Sequence, residues 1–587
     1  MIGMEKLWKG VGLIVVVLII IAGLSLTATQ KLFLAAWDKI PASSIFQFSQ
    51  NQEDDPNIVY ILLDDWRWDM YKHSVLETPN IDNLVEEGVT FKNSFVTTPV
   101  CAASRASILT SQYERTHQYN FKEVGVPEEL MEISYPKQLK DQGYYTGYVG
   151  KYQTHSNVPS NELFNEIDRV FYDPDFGTGE GEVHQTVRIK ESAKDFIRRS
   201  AQNGPFALSV SFFAPHAAGP DEIRQFVPTP EFDEGLYEDV GDLKDELPLR
   251  LTESAFLITQ PDFLFSQFNA MKEYWRYRWS EWSPGECEQL DGACNEDKYD
   301  QNLKDYFKLI TTVDDAIGEI KSELDAQGIA ENTIIIVHSD NGFFLGERGF
   351  AGKWLPYEES IRVPLIVYDP NNFLERGSVR EEIALNIDIA PTILEYAGVG
   401  VPDKYSGESL VPLVRGEGGG SWRTDFLVEH LLQCEESKGY ENFLIHEGVR
   451  TEDWKYTRYP DYNLSGELPR RTSWYVGNED SYEELYYIGS CNLEDNNYVV
   501  NLSAQCEREN LANSEQHQGI LSMLRARTDE LILTHLAKDI DNTDTETAIS
   551  YTLPDTETTW YEHANAGDHG GSIHWSTQPG ASATLRF

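Results

Sequence analysis

The sequence predicts an α/β protein with a large sheet flanked by helices, followed by a smaller C-terminal α+β domain. Continuous apolar runs, such as Ile58 to Leu63 in NIVYILLDD, are typical of strands buried on both faces of an α/β sheet. Elsewhere, apolar residues recur at spacings of three and four, which indicates amphipathic helices that pack on a sheet. Beyond residue 421, the segments DFLVEH and GVRTEDWKYTRYP alternate as antiparallel strands do.

Shifts in composition divide the chain into four predicted segments. The polar stretch SQNQEDDPN follows an apolar N-terminus, RGEGGGSW is typical of a linker, and the chain becomes rich in polar residues from about Asp541. The segments are a signal anchor with its linker at 1–50, the large domain at 51–420, the small α+β domain at 421–540 and a polar tail at 541–587.

The N-terminal segment predicts export. No charged side chain occurs between Lys9 and Lys31, and this run of about 20 residues is long enough to cross a hydrocarbon core. Lys6 and Lys9 favour a cytoplasmic N-terminus, so the remaining chain is expected outside. We expect a membrane-anchored cell-surface protein, or a secreted one if the segment is cleaved.

A long amphipathic helix is predicted in the large domain. Its apolar residues recur from Leu303 to Leu324 at helical spacing, and Gly328 is a candidate for the residue that ends it. We interpret these residues as core and assign them no chemistry.

The composition limits the partners. The net charge is −48, from 96 acidic and 48 basic residues. Such a surface repels a phosphate backbone, which excludes nucleic acid as a partner. If the substrate is an anion, the cations that bind it must be concentrated locally.

Six cysteines are consistent with an oxidising compartment. Four of them can form two local disulfides, and the other two either pair with one another or stay free. The local pairs are Cys287 with Cys294 and Cys491 with Cys506, and the remaining two are Cys101 and Cys434.

Two pairs of oxygen-bearing side chains follow two of the apolar runs. NIVYILLDD ends at Asp64 and Asp65, and TIIIVHSDNG contains Asp340 and Asn341. An Asp at a strand end commonly caps the next helix, so each pair alone carries little weight. Together, at the ligand-binding ends of two buried strands, they favour a metal site. Hard oxygen donors select Ca²⁺ or Mg²⁺ over Zn²⁺.

The stretch TTPVCAASRASILTSQYERTH places Cys101 at the start of a predicted helix and Arg105 one turn later. Both side chains share one face, at a helix N-terminus where backbone N–H groups attract anions. Taken alone, this stretch favours an ordinary helix with a small buried cysteine and a surface arginine.

The stretch CAASR, followed by ILTSQYERTH, resembles the sulfatase signature C-x-P/A-S-R, whose cysteine is oxidised to formylglycine. Further motifs occur in the family's order, including PNIVYILLDD, YTGYVGK, FFAPH, HSDNGFFLGERGFAGKW and GVRTEDWKYTRYP. The chain thus resembles the formylglycine-dependent sulfatases over roughly 450 residues. This resemblance implies an alkaline phosphatase-like fold, with a large mixed sheet flanked by helices.

The resemblance also implies the site. The calcium ligands of the family match Asp64, Asp65, Asp340 and Asn341, completed by the modified side chain of Cys101. The groups around the sulfate match Arg105, Lys151, His216 and Lys353. By this resemblance, three cations gather around one small anion inside an acidic protein.

The chemistry follows from the same resemblance. The formylglycine aldehyde hydrates to a geminal diol, and one hydroxyl attacks sulfur while the substrate alcohol leaves. The other hydroxyl then expels sulfate and restores the aldehyde. The metal, Arg105 and the lysines stabilise the charge that develops. His216 is the first candidate for the general acid, and Lys353 is the second.

Three positions depart from the family pattern or have an open role. Ala103 stands where the commonest pattern has Pro, which bears on maturation by the usual oxygen-dependent enzyme. Gln153 follows Lys151 by two residues, where the family frequently has His, and His155 is the nearby candidate for that role. His117 is expected to support the formylglycine end of the site, with a structural role as the alternative.

The motifs GKY and SDNGFFLGERG look most like those of glucosamine-6-sulfatases and related polysaccharide sulfatases. We therefore expect a sulfated carbohydrate as substrate and a formylglycine-generating enzyme as maturation partner. The aromatic stretch from Met271 to Asp297 either lines a sugar-binding cleft or is a surface insertion pinned by a disulfide. Two alternatives are a phosphonate or phosphodiester hydrolase of the same fold, and a membrane-anchored glycan-binding protein in which Cys101 is never oxidised.

Overall fold

The structure is a computed structural model, which describes most of the chain from Asp55 onwards. It describes residues 55–71, 73–119, 125–170, 183–218, 224–233, 235–241, 243, 279, 297–417, 420–431, 445–459, 482–489 and 507–539, with strands at 549–552 and 582–585. Contacts divide the chain into two units, Met1–Asp55 and Pro56–Phe587, and every element below belongs to the second. The predicted signal anchor and both predicted local disulfides lie outside the described residues.

No helix within the described ranges combines the length and the apolar character needed to cross a membrane.

The strands of the second unit are numbered in chain order. They are β1 (Asn57–Leu63), β2 (Val89–Phe91), β3 (Ser94–Phe95), β4 (Tyr145–Gly150), β5 (Glu166–Arg169), β6 (Phe206–Ser211), β7 (Thr333–Ser339), β8 (Phe344–Leu345), β9 (Ala351–Gly352), β10 (Leu365–Tyr368), β11 (Ser378–Arg380), β12 (Ala384–Leu385), β13 (Asp425–His430), β14 (His446–Thr451), β15 (Trp454–Tyr459), β16 (Tyr482–Tyr487), β17 (Ile549–Thr552) and β18 (Ser582–Leu585).

The helices are numbered in the same way. They are α1 (Pro79–Glu87), α2 (Cys101–Thr110), α3 (Glu114–His117), α4 (Glu128–Glu132), α5 (Tyr135–Asp141), α6 (Ser160–Leu163), α7 (Gln185–Ser200), α8 (Pro230–Asp233), α9 (Lys298–Ala326), α10 (Glu358–Ile361), α11 (Ile389–Tyr396), α12 (Val411–Val414) and α13 (Gln518–Asp539).

An eight-stranded mixed sheet, which we call the large sheet, has the order β11-β2-β10-β7-β1-β6-β4-β5. Strand β1 pairs in parallel with β6 and with β7, so that Leu62 lies opposite Ser211 on one side and His338 on the other. Strand β4 is parallel to β6, whereas β10 is antiparallel to β7. The carboxyl ends of β7, β1, β6 and β4 therefore meet at one edge of the sheet.

Helices cover both faces of the large sheet, because the central strands are apolar on both sides. Val59 and Ile61 of β1 belong to a core cluster that includes residues of α1, α7 and α9. Ile58 and Leu62 belong to a second cluster, with residues of α2, α5 and α11. Successive side chains of a strand point to opposite faces, so the two clusters lie on opposite sides. The predicted α/β class is confirmed.

The predicted long amphipathic helix is α9, with 29 residues. The side chain of Asp297 caps its first turn by accepting the N–H of Tyr299 at 3.0 Å. Gly328 follows the helix with a φ of 71°, the left-handed conformation that favours glycine at such ends.

Strands β13, β14, β15 and β16 form an antiparallel sheet, which we call the small sheet. Leu521 and Leu524 of α13 share a core cluster with Val449 of the small sheet, and the same cluster includes Phe95 and Ile361 from the preceding part of the chain. The small sheet therefore packs on the region that carries the large sheet. Strands β17 and β18, within the predicted tail, form a separate two-stranded ladder.

A cluster of buried charges joins the small sheet to α10. The carboxylate of Glu358 lies 3.3 Å from Arg450 and 3.4 Å from Lys455. Two tyrosine hydroxyls donate to Glu484, at 2.7 and 3.0 Å. We call this group the small-sheet cluster, and its members are Glu358, Arg450, Lys455, Glu484 and Glu507, all of them buried.

Candidate active site

The polar residues that follow four neighbouring strands lie at the carboxyl edge of the large sheet. This is the edge where sheets of this kind bind their ligands. Asp340 and Asn341 follow β7, and Asp64 and Asp65 follow the neighbouring strand β1. Next across the sheet, His216 follows β6 and Lys151 follows β4.

Asp65 leaves β1 in a left-handed backbone conformation, with a φ of 66°, which is uncommon for a residue other than glycine. Its N–H donates to Asp340 Oδ1 at 3.3 Å. Its Oδ1 accepts from Asn341 Nδ2 at 2.5 Å and from Lys353 Nζ at 2.6 Å. The segments that follow β1 and β7 are thereby joined through one aspartate.

Three buried oxygens of the predicted metal ligands accept no hydrogen bond in the part of the chain that the structure describes. They are Asp64 Oδ1, Asp65 Oδ2 and Asn341 Oδ1. Buried polar atoms without partners are rare in folded proteins, and carboxylate and amide oxygens are the donors that hard divalent cations prefer. Asp64, Asp65 and His216 also offer ligand atoms that lie within 4.8 Å of one another. The donor set fits a divalent metal ion.

Helix α2 begins at Cys101 and is buried along its whole length. Asn386 Nδ2 donates to Ser104 Oγ at 2.9 Å, which fixes the first turn of the helix. Cys101 itself is 1% exposed and is a free cysteine within the described ranges, and its alternative partner Cys434 lies outside them.

Arg105 is 2% exposed, and each of its three guanidinium nitrogens donates at least one hydrogen bond. Nε donates to Asp340 Oδ2 at 2.8 Å, and the terminal nitrogens donate to Asp64, to the Lys151 carbonyl and to Ser211 Oγ at 3.3, 2.7 and 2.5 Å. Burial opposes the charge, but Asp340 and Asp64 outweigh it and raise the pKa of Arg105. The interpretation of Arg105 as a surface residue is wrong.

Two lysines complete the cationic side of the site. Lys151 forms an ion pair with Asp64, and Lys353 Nζ lies 2.6 Å from Asp65 and 3.5 Å from Asp64. Burial favours the neutral amine, yet Asp65 and its neighbours hold the pKa of Lys353 well above its usual value. The N–H of Trp354 donates to the Pro99 carbonyl at 3.1 Å, which ties the lysine-bearing loop to the start of α2.

His216 has the most exposed side chain of the five predicted catalytic residues, at 26%. Its Nδ1 donates to the Ala217 carbonyl at 2.5 Å, and its Nε2 lies 3.9 Å from Asp65 Oδ2. Desolvation, followed by the nearby Lys151 ammonium, lowers the pKa of His216 to about 3. The ring is therefore neutral at neutral pH, and the site opens on its side.

The three carboxylates titrate differently. Burial, reinforced by the charge of Asp64, raises the pKa of Asp65 and the pKa of Asp340 to about 6. Burial acts on Asp64 too, but Lys151 and Lys353 outweigh it and hold its pKa below the usual range. Metal binding requires the ionised form of all three.

Burial raises the pKa of the Cys101 thiol, although Lys353 and Lys151 act in the opposite direction. Because the thiolate is the nucleophilic form, the unmodified side chain is a poor nucleophile at neutral pH.

The three supporting residues have different surroundings. His117 is buried, its Nε2 bonds Ser107 Oγ of α2 at 2.9 Å, and its Nδ1 accepts the N–H of Tyr119 at 3.1 Å. Burial lowers the pKa of His117 to about 3. The carbonyl of Gln153 accepts the Tyr119 hydroxyl at 3.0 Å, and its side-chain oxygen is buried without a partner. His155 is exposed, unlike the predicted catalytic residues.

Within Met271–Asp297 the structure describes Trp279 and Asp297. Trp279 is 1% exposed and its ring packs against Phe226 and Phe343, with centroids 5.3 and 5.9 Å apart. This tryptophan is part of the core rather than of a sugar-binding cleft.

The sequence did not predict the buried ion pairs that Arg67 forms beside the site. Arg67 donates to both oxygens of Asp69, at 2.7 and 2.6 Å, and to Glu347 at 2.6 Å. It joins the segment after β1 to the loop that leads to Lys353. The available signal was a charged residue two positions after Asp65, inside a stretch that is otherwise aromatic and acidic.

The mixed sheet and the convergence of carboxylates and cations at its carboxyl edge define an enzyme of the alkaline phosphatase-like class. The chain matches the sulfatase family over residues 56–399 and belongs to that family. It is accordingly a sulfatase, a sulfuric ester hydrolase. Residues 346–471 also match the family described as N-sulphoglucosamine sulphohydrolase, C-terminal.

The chain is similar to one curated sulfatase and to solved structures of more than one activity. The N-acetylglucosamine-6-O-sulfatase of Bacteroides thetaiotaomicron is 28% identical over 451 residues, which are 69% of this chain and 78% of that protein. The solved structure of BT4656 in complex with its substrate D-glucosamine-2-N,6-O-disulfate has a TM-score of 0.58 at 23% identity, covering 84% of this chain and 100% of that chain. The phosphonate monoester hydrolase of Silicibacter pomeroyi has a TM-score of 0.61 at 20% identity, covering 83% and 96%. The two structures show the fold.

Proposed function

We propose that the protein hydrolyses sulfate esters of a sulfated glycan, with a formylglycine made from Cys101 and a bound Ca²⁺ ion. One observation carries the proposal. Three buried oxygens that accept no hydrogen bond from any described residue lie at the edge of the sheet where three cationic side chains converge.

Asp64, Asp65, Asp340 and Asn341 are the residues that would hold the calcium ion. Their oxygens suit a hard cation, and none of the four offers sulfur or imidazole. When bound, the ion supplies positive charge beside the sulfate oxygens. Formally, the three carboxylates and the three cationic side chains cancel, so a divalent ion gives the site the net positive charge that a sulfate ester needs.

Arg105, Lys151 and Lys353 would bind and orient the sulfate group. Arg105 is rigid, because Asp340 and Ser211 hold it at short distances. Fixed donors of this kind stabilise developing charge without reorganising during the reaction.

His216 is the first candidate for the proton donor to the leaving alkoxide, and Lys353 is the second. The ring of His216 lies on the open side, where the alcohol of the substrate would leave. A sulfate bound next to the ring raises its pKa, because a nearby negative charge favours the imidazolium. Lys353 is protonated and can donate, but its raised pKa makes it a weaker acid.

The case for formylglycine rests on the chemistry of the thiol. Cys101 lies at the first position of α2 and is buried beside Lys353 and Lys151, which is a suitable place for a nucleophile that attacks an anion. Its thiol is nevertheless protonated at neutral pH. Oxidation to an aldehyde that hydrates supplies hydroxyl groups at the same position, which requires a formylglycine-generating enzyme as partner.

The glycan substrate is proposed from the relatives. One of them acts on N-acetylglucosamine 6-O-sulfate by its name, and one solved neighbour binds a glucosamine disulfate. We therefore propose a sulfated amino sugar within a polysaccharide. We also propose that the catalytic region is exported, with residues 1–50 as its anchor.

The experiment has two parts, done on protein from its native host or coexpressed with a maturation enzyme. Mass spectrometry of the peptide that carries Cys101 is expected to find the aldehyde. The same protein is then incubated with N-acetylglucosamine 6-sulfate, an aryl sulfate, and an aryl phosphonate ester. Release of sulfate from the sugar, with little turnover of the phosphonate, is the expected result, and a Cys101→Ala variant is the control.

Each other outcome selects an alternative. Preferential turnover of the phosphonate ester identifies the related phosphonate hydrolase activity. A thiol at Cys101 in all native-host material, together with glycan binding and no turnover, identifies a glycan-binding protein instead.

A further inference from the structure

A tyrosine on α9 contacts the backbone of the most constrained residue in the site. The hydroxyl of Tyr306 donates to the Asp65 carbonyl at 2.6 Å and accepts the N–H of Arg67 at 3.3 Å. These two bonds enclose the turn that carries Asp65 through its left-handed conformation, with a φ of 66°. A residue with a side chain adopts this conformation at a cost in energy, and the surrounding structure has to maintain it.

The ring of Tyr306 is held as firmly as its hydroxyl. Tyr306 is fully buried, its ring stacks on Phe343 at 6.3 Å with 19° between the planes, and Phe226 packs edge-on at 5.4 Å. Phe343 follows Asn341 by two residues and Asp340 by three. One side chain therefore contacts the segments that carry both pairs of predicted metal ligands.

The conformation of Asp65 determines where its carboxylate points. With this backbone, Oδ1 accepts from Asn341 and Lys353, and Oδ2 accepts no hydrogen bond within the described ranges. A change in φ at Asp65 moves both oxygens away from Asp340 and Asn341. Groups that orient metal ligands commonly affect metal affinity by about 10- to 100-fold.

We propose that Tyr306 is a positioning residue of the metal site, whose hydroxyl holds the Asp65 backbone in the conformation that directs its carboxylate to the metal. This inference rests on the proposed function, in which Asp65 is a metal ligand. Tyr306 belongs to α9, and the sequence predicts that the residues of this helix form core without a chemical role. The inference gives one of them a role in the site.

A second buried tyrosine provides a matched control. The hydroxyl of Tyr237 accepts the N–H of Glu77 at 2.9 Å and bonds Thr311 Oγ1 of α9 at 2.8 Å. Its ring packs against Phe307, which is next to Tyr306 in α9. Removal of either hydroxyl takes one hydrogen bond from a backbone N–H and one from a second polar group, although Thr311 Oγ1 still donates to the Glu77 carbonyl at 3.0 Å. Of the two tyrosines, only Tyr306 bonds to Asp65.

The test compares full-length wild type, Tyr306→Phe and Tyr237→Phe after removal of metal, with Ca²⁺ as the probe. Calorimetric titration measures the Kd for Ca²⁺, and thermal unfolding is followed without and with Ca²⁺. We expect Tyr306→Phe to raise the Kd about 10- to 100-fold and Tyr237→Phe to leave it within about threefold of wild type. We expect the two variants to lower the metal-free Tm by similar amounts.

Tyr306→4-aminophenylalanine is the second variant, because it keeps the ring and an N–H donor towards the Asp65 carbonyl. It is expected to restore most of the Ca²⁺ affinity and folds even if the loss of the hydroxyl is not tolerated. Wild-type affinity in Tyr306→Phe, an equal loss in Tyr237→Phe, or no recovery in the amino variant overturns the inference.

Failure of the proposed function gives a different result. In that case wild type binds no Ca²⁺, and added Ca²⁺ changes the Tm of neither wild type nor Asp65→Asn. The metal site is then absent, and the role of Tyr306 is refuted with it.

Discussion

The active site and the small-sheet cluster are two buried groups of charges with similar composition and different surroundings. In the small-sheet cluster each carboxylate has a partner of another kind: Glu484 accepts two tyrosine hydroxyls, Glu358 pairs with Arg450 and Lys455, and Glu507 Oε1, which accepts no hydrogen bond in the described residues, forms an ion pair with Lys455. In the active site three ligand oxygens have no hydrogen-bond partner in the described part of the chain. Buried charge alone therefore does not distinguish the two groups, and oxygens that accept no hydrogen bond from the described residues occur in both; what is specific to the active site is that three such oxygens come from the predicted ligands at the carboxyl edge of the large sheet, next to the partly exposed His216.

The comparison predicts that changes in the active site affect turnover, and changes in the small-sheet cluster affect stability. The largest effect is expected for Cys101→Ser. One hydroxyl cannot complete both halves of the proposed reaction, so kcat should fall by at least about 10⁴-fold. Because Cys101 and serine are similar in size, the Tm should stay within a few degrees of wild type, about the effect of a mild core change. Substantial remaining turnover would show that Cys101 is not the precursor of the nucleophile.

Removal of the metal is expected to have the next largest effect. A strong chelator should lower kcat/KM by about 10²- to 10³-fold, since the charge that balances the sulfate oxygens is lost, and added Ca²⁺ should restore it. In Asp340→Asn, kcat/KM should be low from the start, and added Ca²⁺ should not restore it. Asp314→Asn is the matched control, because Asp314 is also buried but caps α1 through the N–H groups of Asn80 and Ile81. Equal activity before and after chelation at equilibrium argues against the metal site.

Lys455→Met should separate the two clusters. Lys455 is 1% exposed and pairs with both Glu358 and Glu507. Its loss leaves buried carboxylates without their cation, which should lower the free energy of unfolding by about 3 kcal/mol. The Kd for Ca²⁺ should not change. Denaturant unfolding and calorimetric titration measure the two quantities.

The control for this prediction is Lys92→Met, which removes a surface pair in which the Glu381 side chain is 76% exposed. Its effect should be below about 1 kcal/mol. If Lys455→Met bound Ca²⁺ more weakly and unfolded with the same free energy as wild type, the expected division between the two clusters, with function in one and stability in the other, would be wrong.

The smallest effect is expected for Glu484→Gln, and it depends on pH. Burial raises the pKa of Glu484 from 4.5 to about 7, although two tyrosine hydroxyls act to lower it. Between these values the carboxyl is protonated in the folded protein and ionised in the unfolded chain. Its contribution to stability therefore falls as the pH rises through this window. In wild type, we expect the titration of Glu484 to lower the free energy of unfolding on the order of 2 kcal/mol between pH 5 and pH 8. In Glu484→Gln this decrease should be absent.

Denaturant unfolding of wild type and Glu484→Gln at several pH values provides the measurement. Parallel pH profiles for the two proteins would mean that Glu484 does not titrate in this range.

Much of the fold could be predicted from local patterns. The apolar run that became β1 is buried on both faces, and its polar ending marks the edge where ligands bind. The helical spacing from Leu303 to Leu324 gave α9 correctly. These signals are local, because they depend on side chains that are near one another in the chain. The segment boundaries at 420 and 540 remain predictions.

The sequence could not provide the contacts between distant residues. Arg105 was interpreted from its own helix as a surface residue, whereas its partners Asp340 and Asp64 come from other strands. Tyr306 resembles any other core residue of α9, and its contact with Asp65 depends on how the helix packs. His155 follows Lys151 closely in sequence, yet its ring is exposed. Proximity in the chain does not determine the direction of a side chain after a strand has ended.

The strand order of the large sheet also has a consequence for the order of events during synthesis. Cys101 leaves the ribosome about 240 residues before Asp340, and at about 5–20 residues per second this interval lasts roughly 10–50 s. Strand β1 cannot pair with β7 within that time, and long-range pairing of this kind is slow. Once the sheet is complete, Cys101 is 1% exposed. An enzyme that oxidises Cys101 as proposed would reach an accessible thiol on the growing chain and a buried one after folding.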